Sequence, residues 1–312
     1  MNALRTAQQR SLPPLLLQSP STSASRCFTT TPQPPAPSAI SSSRTPGPNN
    51  PLTSHTQRSG LDPRWLSTIK SRIGKCLMFG LKPAGVDEAA GVLEEIARDW
   101  RGIVAGSEGF LTDRRRTGLF CRDVIWGEMD IMVPPGHVNN VNYVRYAETG
   151  RVNWTRNFGL YIDPAHKKEW LSLMGSSGVG LILKSIKVDY KFPMTWPDKI
   201  TVYHKLTHAP PMDSDPTHST WDLSVLILSE AKQRPAARCH EGLTTYDYRL
   251  GQKTASIPPF MLEQFRSTWK LQEEERVRWQ GRVKEIERKV RALETGSWDR
   301  PDAVEDMGSP GP

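Results

Sequence analysis

Trp126-Gly127-Glu128-Met129-Asp130, then Ile131-Met132-Val133-Pro134-Pro135, then Gly136-His137-Val138-Asn139-Asn140-Val141-Asn142-Tyr143: this run decides the fold. Ahead of it, Leu119, Cys121, Asp123 and Ile125 alternate with Phe120, Arg122, Val124 and Trp126, which predicts a strand from Thr117. On that strand Trp126, Glu128 and Asp130 point to one side. Behind it, Tyr146, Glu148, Arg151 and Trp154 continue a helix expected from about Asn139 to Phe158 and closed by Gly159. A strand ending on carboxylates therefore runs into the start of a long helix. The first amides of such a helix lack internal partners and carry the positive end of its dipole. They suit a developing oxyanion, and a carboxylate beside them can attack an acyl carbonyl or activate water. The pair Asn139-Asn140 caps the helix, positions a substrate, or does both.

Working outward toward the C-terminus, four strand-like stretches follow: 180–192, 199–207, 219–229 and 236–249. The loop 209–218, with its adjacent prolines, separates the middle pair. Strand, helix, then an antiparallel run of strands is an α+β plan, with one long helix lying across one sheet. Beyond Pro258-Pro259 the chain becomes densely charged with both signs, and a helix is expected over 263–296. Within it Trp279, Val283, Ile286, Val290 and Leu293 repeat at 4-3-4-3 spacing, the seam of a short coiled coil. That seam fits either a helix docked on its own domain or one that meets a helical partner. Residues 297–312 are expected to be a loose tail.

Toward the N-terminus two helices are predicted in an accessory hairpin over 61–110. The first, 63–79, has Leu66, Ile69, Ile73 and Leu77 at helical spacing; the second, 86–104, has Ala89, Leu93, Ile96, Ala97 and Trp100, with Gly106 and Gly109 ending it. Residues 1–61 contain Arg5, Arg10, Arg26, Arg44 and Arg58 and no acidic residue. An arginine- and serine-rich, acid-free start reads as a mitochondrial transit peptide over 1–30, followed by a Pro/Ser linker over 31–60. Those five arginines supply five of the formal net charge of +8. The +3 that remains is too small to argue for nucleic acid. No apolar run is long enough to span a bilayer, so the chain is expected to be soluble. Its four cysteines, Cys27, Cys76, Cys121 and Cys239, are scattered without a C-x-x-C and signal neither a disulfide framework nor a zinc site.

The central motif resembles the D-x-D-x-x-G-H-V-N-N-x-x-Y signature of the 4-hydroxybenzoyl-CoA thioesterase-like hotdog family, within the acyl-CoA thioesterase and thiol ester dehydrase-isomerase superfamily. The likeness extends over 117–262. Lys187-Val188-Asp189-Tyr190-Lys191-Phe192-Pro193 with Asp198 resembles the family's long strand and following turn, and Ile257-Pro258-Pro259-Phe260 its usual ending. The resemblance, to a fungal-type mitochondrial member, implies a hotdog fold and hydrolysis of an acyl-CoA or acyl carrier protein thioester. It implies no metal and no cofactor beyond the coenzyme A of the substrate, and a homodimer or larger homo-oligomer in the mitochondrial matrix. Residue by residue, it implies Asp130 as nucleophile or general base, His137 polarising the carbonyl with Asn139 and Asn140 beside it, and Glu128, Gly136, Val138 and Tyr143 in substrate contact. Two departures stand out: Glu128 where the family often has Asp, and Val133-Pro134-Pro135 as extra residues between Asp130 and Gly136. That insert reads as a loop preserving the geometry, as a mark of lost activity, or as a gene-model error. Lys184, Lys187, Lys191, Lys205, Arg249 and Lys253 offer charge to coenzyme phosphates. A non-catalytic hotdog binding protein is the competing reading; the separate hydratase motif of hotdog dehydratases is not found.

Overall fold

The computed structural model describes residues 60–130, 136–211 and 219–303. The expected leader and linker, the inserted Val133–Pro135, most of the 209–218 loop and the end of the tail lie outside these.

Two helices open the described chain, α1 (Trp65–Met78) and α2 (Pro83–Arg101). On α1, Trp65, Leu66, Ile69, Ile73 and Cys76 form the buried face, and on α2 Ala89, Val92, Ile96 and Trp100 do so. Helix α2 begins three residues earlier than its apolar pattern suggests, because Pro83 at the first turn is already set to a helical φ. A π-helical turn, Gly102–Gly106, closes it.

The sheet follows in the order β1-β5-β6-β7-β4, built from β1 (Leu119–Asp123), β4 (Val179–Tyr190), β5 (Lys199–Leu206), β6 (Thr220–Ser229) and β7 (Arg234–Asp247), with the short β8 (Gln252–Lys253) paired to β7. All its pairings are antiparallel. A separate two-stranded ribbon joins β2 (Met129–Asp130) to β3 (His137–Val138). Helix α3 (Asn140–Asn157) lies across one face of the sheet, its Tyr143, Tyr146 and Ala147 packed with Val202, Val225, Ile227, Ala237 and Cys239. This is the hotdog arrangement of an α+β fold.

Strand alternation sends Tyr203, Leu226 and Leu228 to the opposite face. There they meet α1, α2 and the 38-residue helix α5 (Pro259–Gly296). The sheet thus lies between α3 and a layer of three helices. The predicted seam of α5 forms that contact: Ile286, Val290 and Leu293 are buried against the hairpin, with Trp279 and Val283 partly buried beside them. Its 4-3-4-3 stripe is covered by the chain's own N-terminal helices. Trp279 rests where a Cβ on Gly102 or Gly106 would come within 2.1 or 2.2 Å of the indole, so two glycines one helical turn apart make room for the ring.

Two sequence expectations are corrected. The first strand ends at Asp123, after a bulge at which Cys121 takes φ 47°, and Trp126–Glu128 form one 3-10 turn. Alternation continues through this segment, but the chain has already left the sheet. The helix expected to stop at Gly159 runs into a π-helical turn, Phe158–Ile162, and then α4 (Lys167–Ser172). Gly159 sits beneath Trp170, whose ring stacks on Phe158 at 4.6 Å and whose Nε1 donates to Asp163 at 2.9 Å. No helix among the described residues is long and apolar enough to cross a membrane.

Candidate active site

The ribbon sets the geometry. Met129 pairs with Val138 and Asp130 with His137, so Asp130 lies across the ladder from a residue two positions before the α3 cap. Gly136 takes φ +78°, a left-handed value that favours glycine, and brings the chain back into β3. The Val138 amide donates to the Met194 carbonyl at 2.8 Å, fixing β3 to the loop after β4.

Asn139 is the N-cap: its side-chain oxygen accepts from the Val141 amide at 3.0 Å. Its own amide donates to the Glu128 carbonyl at 2.9 Å. Asn140 is exposed at the first helical position, and its carbonyl accepts from the Tyr190 hydroxyl at 3.2 Å. The capping bond occupies the Val141 amide, and Asn140, the first helical residue, lines the cleft.

A cleft of about 310 Å³ opens at this helix end, walled by His137, Val138, Asn140, Tyr143, Tyr190, Lys191, Phe192 and Pro193. Of the residues singled out in the sequence, His137, Val138, Asn140 and Tyr143 therefore share one cavity. Asp130 is not one of the lining residues; it pairs across the ladder with His137, which is. Gly136 shapes the turn. Tyr143 is buried; its hydroxyl accepts from the Met194 amide at 3.2 Å and its ring stands edge-on to Tyr190 at 5.2 Å. Burial raises the Tyr143 hydroxyl above its usual range, with the Met194 amide opposing that in part. The Nδ1 of His137 is buried without a hydrogen-bond partner among the described residues. His137 itself lines the cleft.

Glu128 is placed differently from the substrate contact that the resemblance implies. Its carboxylate accepts from the Arg122 guanidinium at 2.7 Å, the Tyr146 hydroxyl at 2.7 Å and the Ile125 amide at 3.1 Å. Burial alone would raise this carboxyl. The bonds from Tyr146, Ile125 and Arg122, with the Arg122 charge, outweigh it and hold the group below the ordinary carboxylate range. Tyr146 moves the other way, raised by burial and by its bond to the charged Glu128.

The cations proposed for a coenzyme separate clearly. Lys191 lines the cleft. Lys205 is half-buried with its ammonium on the Glu108 carbonyl and over the Phe110 ring, and desolvation lowers it. Arg249 is held by Asp247 at 2.8 Å, and Lys187 lies 4.0 Å from Asp189. Among the described residues no cluster of three or more His, Cys, Asp or Glu could hold a metal ion.

Three features were missed in the sequence. The side chain of Asn142, which is buried, donates to the Glu128 carbonyl at 2.8 Å. Tyr190 reaches the helix start from β4. Beneath the middle of α3, Arg151 donates to the fully buried Glu241 at 2.6 Å. Burial raises the Glu241 carboxyl despite Arg151. The only sequence signal for any of these is a polar residue at a helical position that should face the core.

Residues 124–265 match the model of the Thioesterase-like superfamily. No curated protein matches the chain. Among solved structures the chain is similar to a thioesterase from Thermus thermophilus complexed with coenzyme A and Zn, at 21% identity and TM-score 0.35, over 48% of this chain and 92% of that one. It is also similar to a gentisyl-coenzyme A thioesterase, at 14% identity and TM-score 0.35, over 47% and 98%. A third likeness is to a Staphylococcus aureus protein in complex with CoA, at 13% identity and TM-score 0.36, over 49% and 85%.

Proposed function

We propose that the segment matching the Thioesterase-like superfamily hydrolyses acyl thioesters of coenzyme A or acyl carrier protein. The observation carrying this reading is the ribbon register: Asp130 stands opposite His137 at the α3 N-terminus although three extra residues separate it from Gly136. The thioester carbonyl oxygen meets the Asn140 amide and His137 Nε2, and the negative charge formed on attack faces the positive end of α3. Asp130 acts in one of two ways. As nucleophile it adds to the carbonyl carbon and expels the thiolate, and water then cleaves the resulting anhydride. As general base it takes a proton from water, whose oxygen adds directly. Both routes end in a carboxylate and a free thiol.

Lys191 is the cation we assign to the coenzyme side, since it alone of the six candidates lines the cleft. Assembly follows from the sheet edge. Among the described residues β4, 12 residues long, has one strand neighbour, β7, and on its other side the Leu181 amide donates to the Leu173 carbonyl at 2.9 Å, which leaves most of that edge without a strand. A long unpaired edge favours a second copy pairing there, hence a homodimer. The leader composition supports the mitochondrial matrix, which fractionation of tagged full-length protein tests.

Thiol release from short, long and aromatic acyl-CoAs, comparing wild type with Asp130→Asn, tests the reaction. A loss of about a hundredfold or more in the variant is expected. A folded wild-type protein that binds coenzyme A and turns over no thioester would sink the reading and leave the binding protein in its place.

A further inference from the structure

The carboxylate proposed for hydrolysis sits on a ribbon with little strength of its own. Strand β2 has two residues and β3 has two. A two-stranded pairing this short is not stable alone in water. The connection from Asp130 to Gly136 is also three residues longer than the motif it resembles. Something else must hold β2 against α3.

That hold is on Glu128, two residues before Asp130. Its carbonyl accepts two donors, the Asn139 amide at 2.9 Å and the Asn142 side chain at 2.8 Å. Its carboxylate accepts the Tyr146 hydroxyl at 2.7 Å. Asn142 and Tyr146 are one helical turn apart and so lie on the same face of α3. Both are buried, at 8% and 1% exposure. A buried asparagine near the start of a helix is a costly choice, since it desolvates an amide and favours helix less than alanine or leucine. The bond to the Glu128 carbonyl offsets that cost. Glu128 is thus fixed to α3 through its main chain and its side chain together.

We infer that Asn142 and Tyr146 are positioning residues, which hold the Asp130 strand at the α3 N-terminus through Glu128. This rests on the proposed hydrolysis, with Asp130 as its carboxylate. The two residues touch neither substrate nor reacting atoms; they set the separation between the group that attacks and the amide that receives the charge. An error of about 1 Å in such a separation costs about a hundredfold in rate.

The test uses the full chain with Asn142→Ala, the isosteric Asn142→Asp and Tyr146→Phe. Two readouts are taken, steady-state thiol release and hydrogen exchange by mass spectrometry. Asn142→Ala is expected to lower kcat by about ten- to a hundredfold with KM within about twofold. Asn142→Asp, which replaces the donor by an acceptor, is expected to fall as far at neutral pH. It should regain activity in acid relative to wild type, as its carboxyl gains a proton to donate. Tyr146→Phe should lose less. In each variant, amides of 128–130 and 136–138 should exchange faster, while those of β5, β6 and β7 keep their protection. Wild-type kcat and wild-type exchange in a folded Asn142→Ala, Tyr146→Phe double variant would overturn the assignment. So would uniform loss of protection across the sheet, which marks general destabilisation. If wild type hydrolyses nothing, the function proposed above fails, and exchange alone then decides whether the clamp exists. If Asn142→Ala does not fold, Tyr146→Phe carries both readouts.

Discussion

The two faces of the sheet are held by different means. On the outer face α1, α2 and α5 bury a continuous apolar stripe, and ion pairs rim it: Arg72 with Glu287 and Glu294, Arg282 with Glu95, and Lys289 with Glu88. On the inner face at the α3 N-terminus, the ribbon bearing Asp130 is tied down by a few hydrogen bonds through Glu128 and Asn139. Apolar burial is non-directional and tolerates small shifts; hydrogen bonds fix direction and contribute only about 1 kcal/mol each net. Stability therefore comes from the helical layer, and the alignment of the candidate site from its hydrogen bonds. The two should separate under mutation.

The largest separation is expected at Ile286, fully buried where α5 meets the hairpin. Ile286→Ala removes packed methyl groups and leaves a cavity, at a cost of about 2–4 kcal/mol in denaturant unfolding. Thiol release per folded molecule should stay at the wild-type value, because none of the residues lining the α3 N-terminal cleft belongs to this apolar cluster. An equal loss of turnover would show that the layer reaches the site, and the contrast would fail. A smaller effect is expected at Gly106→Ala. The new methyl group would stand 2.2 Å from the Trp279 indole, a rigid ring, and either the ring or α5 must shift. Overpacking of this kind costs about 1–3 kcal/mol. Loss of Trp279 fluorescence burial, again without a change in kcat, is the measurement that checks it.

This contrast also explains what the sequence could reveal. The helices α1, α2, α3 and α5 and the strands β4 to β7 are legible because each buries one face, and burial writes a period of 3.6 or 2 into the chain. The stripe on α5 was equally plain, but a stripe says that something covers it and not what. Only the fold shows that Ile69, Ile73 and their neighbours do so. The site was legible in part: His137, Val138, Asn140 and Tyr143 do share a cleft. The hold on Glu128 was not, because Asn142 acts on a carbonyl 14 residues away and leaves no local pattern. The 3-10 turn at Trp126–Glu128 was hidden for a related reason. Its residues keep the alternation of the strand before it, while Glu128 reaches back to the Ile125 amide and curls the chain. Gly159 read as a stop and serves as a close-packing position under Trp170.

The smallest predicted effect concerns the same Glu128 and turns on pH. Its carboxyl is held below the ordinary value of 4.5, where burial is outweighed by the bonds from Tyr146, Ile125 and Arg122. A lowered folded pKa means the unfolded chain binds the proton more tightly. The contribution is then fully present above the unfolded value and is lost as pH falls through the folded one. Wild-type stability should decline more than that of Glu128→Gln, which carries no titrating group there, as pH falls through and below the ordinary carboxylate value. The two unfolding curves should therefore converge in acid and lie furthest apart at neutral pH. Parallel curves across that range would mean that Glu128 is not held by its charge. The hydrogen bonds to its carbonyl from Asn139 and Asn142 would then carry the larger share of what its backbone and side chain contribute to the tie between the Asp130 ribbon and α3.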